Sequence, residues 1–494
     1  MTNEIQETIL WHDYETFGIN PKVDFPVQFA AIRTDLNLDI IDDKASIDWL
    51  CKMPFDYLPH PKACLVTGIT PFYSLHKGLP EPVFAEKIYQ QISQENTCVA
   101  GYNSMKFDEE VTRHLLFRNL FPVYEREFKH NNSRWDVIDL VRACYALRPQ
   151  QIAWPLYEDG KPCFKLEALT QANSIEHTAA HNALSDVHAT INIAKLIKTK
   201  QPKLYDYYWQ LRNKHTVNDM LQQFQKNIFV HVSGFISSVQ GCCSIIMPVC
   251  SHPHNKNAVI CIDLLKPINL FEENEPQQLK QALFTQTSVS DSSSSAALVD
   301  AVADTPRLYN IAINKCPFVA PIKTLSGERA AQLGIDVDLA IKHYKRLANL
   351  PHLKDLCTGV YAQADVKPVP DNIDEQLYTS DFPSPADTRL KDFVRQQLPE
   401  QLAAFSGKFE SALLNKLLFR YRARNYPNLL DENEITRWQQ HVQERLTQGN
   451  KKSCLSLQEF FESIDELSQE YQQYPEKMKI LQSLQRYAQQ LTGM

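Results

Sequence analysis

Along the first 200 residues, apolar and polar positions alternate between two periods. Thr8-Ile9-Leu10-Trp11-His12-Asp13-Tyr14-Glu15, Val27-Gln28-Phe29-Ala30-Ala31-Ile32-Arg33 and Cys98-Val99-Ala100-Gly101-Tyr102 are apolar runs of strand length. Between and after them, Val83–Ile92 reads as a helix, and Asp108–Leu120 carries Val111, Leu115 and Leu116 at helical spacing. Asn182–Lys198 places Leu184, Val187, Ile191 and Ala194 along one stripe. Strands interleaved with amphipathic helices predict a mixed α/β sheet flanked by helices.

Past residue 200 the texture changes. Phe229-Val230-His231-Val232-Ser233-Gly234, Ser244-Ile245-Ile246-Met247 and Ala258-Val259-Ile260-Cys261-Ile262 are short β-like runs separated by turn residues. Ser288–Ser295 is serine-rich and predicts a loop. Helical spacing returns over 326–358. Val366-Lys367-Pro368-Val369-Pro370-Asp371 predicts extended chain, because closely spaced prolines disfavour helix. From about 384 onward the chain is helix-rich. The expected organisation is therefore an α/β domain over 1–200, a β-rich domain over 201–356, an extended linker over 357–383 and a helical domain over 384–494.

Composition narrows the class. At 494 residues, 44% hydrophobic and 22% charged, the chain has the balance of a multidomain globular protein and is not disordered throughout. No run approaches the roughly 18–20 apolar residues of a membrane helix. The polar start Met1-Thr2-Asn3-Glu4-Ile5-Gln6 lacks the pattern of a signal peptide. Twelve Cys without a C-x-x-C pair read as reduced thiols, so a soluble cytoplasmic protein is expected. A net charge of -7 argues against a passive nucleic-acid coat held by charge, yet leaves room for an enzyme with a local basic channel.

Three acidic signals carry the chemistry. Asp13 and Glu15 stand at i and i+2 of an apolar strand, on one face and about 7 Å apart. Two carboxylates so placed make sense around a divalent cation, although a strand end with two solvated acids would look the same. In Gly101-Tyr102-Asn103-Ser104-Met105-Lys106-Phe107-Asp108, a strand end and turn set Asp108 near a helix start, where an acid also simply favours the helix dipole. In His181-Asn182-Ala183-Leu184-Ser185-Asp186, positions i and i+5 of one helix would diverge by about 140°. His181 is therefore expected on the loop entering the helix, with Asp186 one turn inside.

In chain order these read D-x-E, N-x4-D and H-x4-D. The combination resembles the DEDD 3′–5′ exonuclease superfamily in its histidine-bearing branch, as does Thr67-Gly68-Ile69-Thr70. Further segments resemble the bacterial exodeoxyribonuclease I family: Asn132-Ser133-Arg134-Trp135-Asp136, Arg142-Ala143-Cys144-Tyr145-Ala146-Leu147-Arg148-Pro149, Lys214-His215, Val230-His231-Val232-Ser233-Gly234, Ile313-Asn314-Lys315-Cys316-Pro317 and Leu418-Phe419-Arg420-Tyr421-Arg422-Ala423-Arg424-Asn425-Tyr426-Pro427. The likeness runs through essentially the whole chain and is weakest at Ser288–Ser295.

The resemblance implies an α/β multidomain protein: a ribonuclease H-like exonuclease domain, an SH3-like β domain and a C-terminal α-helical domain. It implies a monomer that degrades single-stranded DNA processively from the 3′ end, releasing 5′-mononucleotides, in DNA repair and recombination. Asp13, Glu15, Asp108 and Asp186 would hold two Mg²⁺ ions about 4 Å apart, with Mn²⁺ a possible substitute. One ion would activate the attacking water and the other stabilise the leaving 3′ oxygen, with His181 as general base.

Expected substrate contacts are Arg113, Arg142, Lys165 and Lys214 for phosphates, with Phe128 and Trp135 stacking bases and Glu15 also touching substrate. The family's partner is the acidic, hydrophobic C-terminal tail of single-stranded-DNA-binding protein, with no docking residues assigned. An exoribonuclease of the same fold and a catalytically silent end-binding protein remain alternatives. Cys242, Cys243, Cys250, His252 and His254 have no standard zinc spacing and are not expected to bind metal. The Phe419–Tyr426 run reads as a nucleic-acid stripe, as domain packing or as a groove for an acidic tail.

Overall fold

The structure, a computed structural model, describes residues 6–42, 46–177, 182–273, 275–284, 305–362, 368–379, 381–449 and 454–492. It divides into two compact units interleaved in sequence. Residues 1–133, 178–188 and 367–494 form the first, and residues 134–177 and 189–366 the second.

In the first unit, β1 (Thr8–Thr16), β2 (Pro26–Thr34), β3 (Ile47–Leu50) and β4 (Thr97–Gly101) lie side by side in the order β3-β2-β1-β4. β1 is antiparallel to β2 and parallel to β4. A strand with neighbours on both edges and packing on its faces needs apolar residues almost throughout. Accordingly Ile9, Trp11 and Phe29 have no exposed surface, and the Trp11 indole N–H donates to Thr34 Oγ1 at 2.8 Å. The helices Glu81–Ile92 and Asp108–Arg118 set Phe84, Ile88, Val111, Leu115 and Leu116 into one core with Leu10 and Phe29. Each such burial contributes roughly 1.5–3 kcal/mol.

The C-terminal residues complete this unit. Phe460 and Ile464 of the helix Leu457–Glu470, with Leu481, Leu484 and Tyr487 of the helix Pro475–Thr492, share a core with Phe17, Phe25 and Tyr57. The helix Ala412–Asn425 buries Leu414, Leu417 and Leu418 against Leu120. Of the segment expected as an extended linker, 357–383, part is helical. The helix Leu353–Val360 runs into it, and Ile373–Tyr378 forms a 3₁₀ helix whose N-terminus is capped by Asn372. Leu377 anchors that turn in the sheet core, and this packing outweighs the extended preference of the nearby prolines.

β5 (Ser133–Asp136) lies at the sequence boundary of the units. In the second unit Trp135 is fully buried against Tyr205, Tyr208 and Trp209. The five strands β6 (Phe229–Val232), β7 (Cys243–Ser251), β8 (Ala258–Asp263), β9 (Leu308–Ala312) and β10 (Phe318–Pro321) form an antiparallel sheet in the order β10-β6-β7-β8-β9. The serine-rich stretch Ser288–Ser295 lies outside the described residues. No helix among the described residues is long and apolar enough to cross a membrane, and the cysteines are free thiols.

Candidate active site

β1 alternates its side chains as its pleat requires. His12 and Tyr14 turn into the core beside Phe29, and Asp13 and Glu15 share the opposite face. The last β1–β4 pair is Trp11 with Ala100. Beyond it the Tyr14 backbone N–H donates to Asp108 Oδ1 at 3.2 Å. Close approach of the two strand ends needs a glycine: a Cβ on Gly101 would stand 2.8 Å from Ser104 Cβ and 2.9 Å from the His12 carbonyl oxygen.

Asp108 begins a helix whose first two turns are held by ion pairs. Glu109, 1% exposed, takes a bidentate pair from Arg126 at 2.7 and 3.2 Å. Arg113 joins Glu110 at 2.8 Å to Glu127 at 2.9 Å. Asp186 enters on the helix Ala183–Lys200, where its N–H donates to Asn182 O and the Ser185 N–H donates to the Asn182 side chain. Carboxylate oxygens of Asp13, Glu15 and Asp186 fall within 4.8 Å of one another. Asp108 is not in that triad but acts on it electrostatically.

The acids are frustrated as they stand. Burial, then Asp108, Glu15 and Asp186, push the Asp13 carboxyl well above the usual carboxylate range. Burial, then Asp186 and Asp108, push Glu15 up to about 8. Among the described residues the main influences on both carboxyls all raise them, so a divalent cation ligated by hard oxygens fits this donor set and would reverse the sign of both shifts. His181, expected as the general base, lies outside the described residues.

The other expected contacts fall into two groups. Phe128 is 63% exposed, and Lys165 and Lys214 are exposed just before the helices Leu166–Ala172 and at the start of Lys214–Leu221. Arg113 is 5% exposed and committed to Glu110, Glu127 and the Tyr378 hydroxyl, so its charge organises the helix of Asp108. Arg142 pairs with Asp139 at 2.7 Å, and its guanidinium packs against Gly234 so tightly that a Cβ there would stand 2.8 Å away. Trp135, expected to stack bases, is core, because its ring has no exposed surface.

The Phe419–Tyr426 run resolves as packing. Arg422 pairs with Glu434, and Arg424 pairs with Asp56 and Asp374. Among the described residues the Cys242–His254 stretch forms no metal-binding group. Sequence reasoning missed the backbone amide that orients Asp108, and missed Tyr378, which reaches Arg113 and Glu110 from 265 and 268 residues away. No local pattern marks either.

A sheet strand carrying D-x-E, with acids on two helices closing on it, defines a nuclease-type carboxylate centre. Comparison with known proteins agrees. An exonuclease family model matches residues 10–194, an exonuclease I SH3-like domain model residues 212–363, and an exonuclease I C-terminal domain model residues 371–491. Exodeoxyribonuclease I of Escherichia coli (strain K12) is 40% identical over 486 residues, covering 98% of each chain.

A crystal structure of E. coli exonuclease I with a dA16 oligonucleotide superposes with a TM-score of 0.90 at 40% identity, covering 98% of this chain and 100% of that one. A structure described as SSB/exonuclease I in complex with the inhibitor CFAM gives 0.88 at 39% identity, over 99% and 100%. The chain belongs to the exodeoxyribonuclease I family. Its fold is an exonuclease domain of the ribonuclease H-like kind, an SH3-like domain and a C-terminal domain.

Proposed function

We propose that this protein is a processive, single-strand-specific 3′–5′ exodeoxyribonuclease acting in DNA repair and recombination. The observation that carries the reading is the mutual approach of Asp13, Glu15 and Asp186 within 4.8 Å, with Asp108 beside them. These four would hold two divalent cations, Mg²⁺ or Mn²⁺. Such ions, when bound, supply a nucleophilic hydroxide at neutral pH and stabilise charge on the leaving oxygen. The Tyr14 amide and the Arg126–Glu109 pair keep Asp108 aimed at β1. His181, by its motif position, takes the proton of the attacking water. Lys165, Lys214 and Arg142 would meet phosphates, Phe128 a base, and Glu15 the terminal nucleotide; Arg113 supports the site through the Asp108 helix. The exonuclease domain would span 1–200, the SH3-like domain 201–356 and the helical domain 384–494, with the partly helical segment 357–383 between the last two.

The partner is the acidic, apolar C-terminal tail of single-stranded-DNA-binding protein. A cavity of ≈ 370 Å³ in the second unit is lined by Arg148, Pro202, Lys203, Leu204, Tyr207 and Thr324, which combines cations for a tail carboxylate with apolar walls. The bound DNA in one relative and the SSB named with another support the substrate and the partner.

The test is incubation with Mg²⁺ and 5′-labelled single-stranded DNA, duplex DNA and single-stranded RNA, beside Asp186→Ala. Shortening of only the single-stranded DNA from its 3′ end, absent in the variant, is the expected result. Preference for RNA would transfer the chemistry to RNA turnover, and binding of DNA without turnover would make the protein an end-binding module.

A further inference from the structure

The turn that follows Glu15 is tied down by polar groups remote from it in sequence. Pairing of β1 with β4 ends at Trp11, while pairing with β2 continues to Thr16. The β1–β2 register shifts between Glu15 and Thr16, the kind of bulge that bends a strand and re-aims its side chains. Past the bulge the chain doubles back. The Phe17 N–H donates to Phe25 O at 3.0 Å, the Asp24 N–H to Asn20 O at 2.9 Å, and Thr16 Oγ1 to Gly18 O at 2.6 Å.

Two buried side chains hold this turn. Asp24 is 9% exposed and Tyr57, which precedes the helix Pro61–Thr67, is 2% exposed. Asp24 Oδ2 accepts the Asn20 N–H at 2.7 Å, and Oδ1 accepts the Tyr57 hydroxyl at 2.6 Å. The Phe17 carbonyl oxygen accepts the His60 N–H at 2.6 Å and lies 3.3 Å from the same hydroxyl. Gly18 packs on the carboxylate so closely that a Cβ would stand 2.1 Å from Asp24 Oδ2.

Tyr57 is itself rooted in the C-terminal helices. Its ring lies 5.1 Å from Phe25 and shares a core with Phe460, Ile464 and Leu484. Arg445 of the helix Glu432–Gln448 sits 6.0 Å from the ring centre and pairs with the adjacent Asp56 at 3.0 Å. Contacts therefore run without a break from these helices through Tyr57 and Asp24 to Phe17. Phe17 is two residues, about 7 Å of strand, beyond Glu15. A carboxylate at this depth is costly unless hydrogen-bonded. Burial raises Asp24, and the bonds from Tyr57 and Asn20 oppose that rise. What the carboxylate supplies is direction, since its two oxygens fix the hydroxyl and the turn amide at once.

We propose that Tyr57 and Asp24 are positioning residues that fix the turn after Glu15 and so hold the Glu15 carboxylate in place for the cation. The inference rests on the exonuclease reading of the acidic site. It gives the C-terminal helices a share in the chemistry, through a hydroxyl that touches neither DNA nor metal.

The experiment uses the full chain. Tyr57→Phe keeps the buried ring and removes only the hydroxyl, and Asp24→Asn keeps the size but replaces one acceptor oxygen by an NH₂ group. Turnover of single-stranded DNA and calorimetric titration with Mn²⁺ alone are measured for each. Both variants lower kcat and weaken Mn²⁺ binding about tenfold, the scale of groups that orient metal ligands, with KM for DNA within about twofold of wild type. The double variant is no worse than the stronger single one, because one hydrogen bond is lost in all three. Ile464→Val, which thins the same core without removing a hydrogen bond, is the control and keeps both readouts. Wild-type kcat and Mn²⁺ affinity in Tyr57→Phe, or losses no larger than in Ile464→Val, would overturn the positioning role while leaving the exonuclease reading intact. If the wild type bound Mn²⁺ but degraded no DNA, the exonuclease reading would fall, and weaker Mn²⁺ binding in Tyr57→Phe would still support the tether to Glu15.

Discussion

Two groups of carboxylates in the first unit, one largely half-buried and one fully buried, have opposite surroundings. At the β1 site, Asp13, Glu15, Asp108 and Asp186 face one another, and burial with mutual repulsion raises Asp13 and Glu15. Around Asp56, which has no exposed side-chain surface, Arg424 donates at 2.7 Å, Arg445 at 3.0 Å, and Arg424 continues to Asp374 at 2.8 Å. Burial alone would raise Asp56, but Arg424 and then Arg445 hold it well below the usual carboxylate range. Asp374 is held down in the same way by Arg424, Arg420 and Arg445 against its burial. The compensated acids join residues of the N-terminal part to the helices Ala412–Asn425 and Glu432–Gln448. At the β1 site, Asp13 and Glu15 carry a repulsion that a bound cation would relieve. Buried charge of the first kind is structural, and buried charge of the second kind marks a site.

Removing one acid from each group separates these roles. Asp186→Ala lowers turnover of single-stranded DNA roughly a thousandfold, since metal stabilisation is worth several kcal/mol, while the melting temperature without metal does not fall. A large loss of stability would move Asp186 into the structural group. Asp56→Ala, in contrast, leaves Arg424 and Arg445 buried without their main partner and costs about 3–5 kcal/mol in denaturant unfolding.

The same pair gives a pH signature. Asp56 and Asp374 have folded pKa values below their unfolded value of about 3.9. Their contribution is therefore fully present above the unfolded value and is lost as pH falls through the folded values. Stability measured from pH 6 down to 2 should drop less steeply in Asp56→Ala than in wild type, and parallel profiles would contradict the assignment.

Smaller effects test the geometry around the site. Gly101→Ala forces a Cβ against Ser104 and His12 O, costs about 1–3 kcal/mol, and lowers turnover by shifting the loop that leads to Asp108. A fully active, equally stable variant would show that this close approach is dispensable. Smallest is Asp13→Asn, which relieves repulsion and raises metal-free stability by roughly 1 kcal/mol. Destabilisation there would mean the carboxylate has a partner that offsets its charge.

The contrast also explains what the sequence could reveal. Elements with a strong local period were legible: Thr8–Thr16, Asp108–Arg118 and Ala183–Lys200 lie within two residues of their expected bounds. The approach of Asp13, Glu15 and Asp186 was legible because strand alternation and helix starts are local facts. The compensated group was not legible, since Arg424 meets Asp56 across 368 residues and nothing near either residue announces the other. Trp135 and Arg113 were misjudged for the same reason. Exposure is a tertiary property, and both side chains are covered by residues distant in sequence or by acids they pair with.

The central claim is that Asp13 and Glu15, raised by burial and by neighbouring acids, belong to a cation site. Calorimetric titration of Mn²⁺ into metal-free protein, beside Asp13→Asn and Asp56→Asn, tests it most directly. Saturable binding in wild type and in whatever Asp56→Asn protein remains folded, with loss in Asp13→Asn, is the predicted result. Equal binding in wild type and Asp13→Asn, or none in wild type, would contradict it.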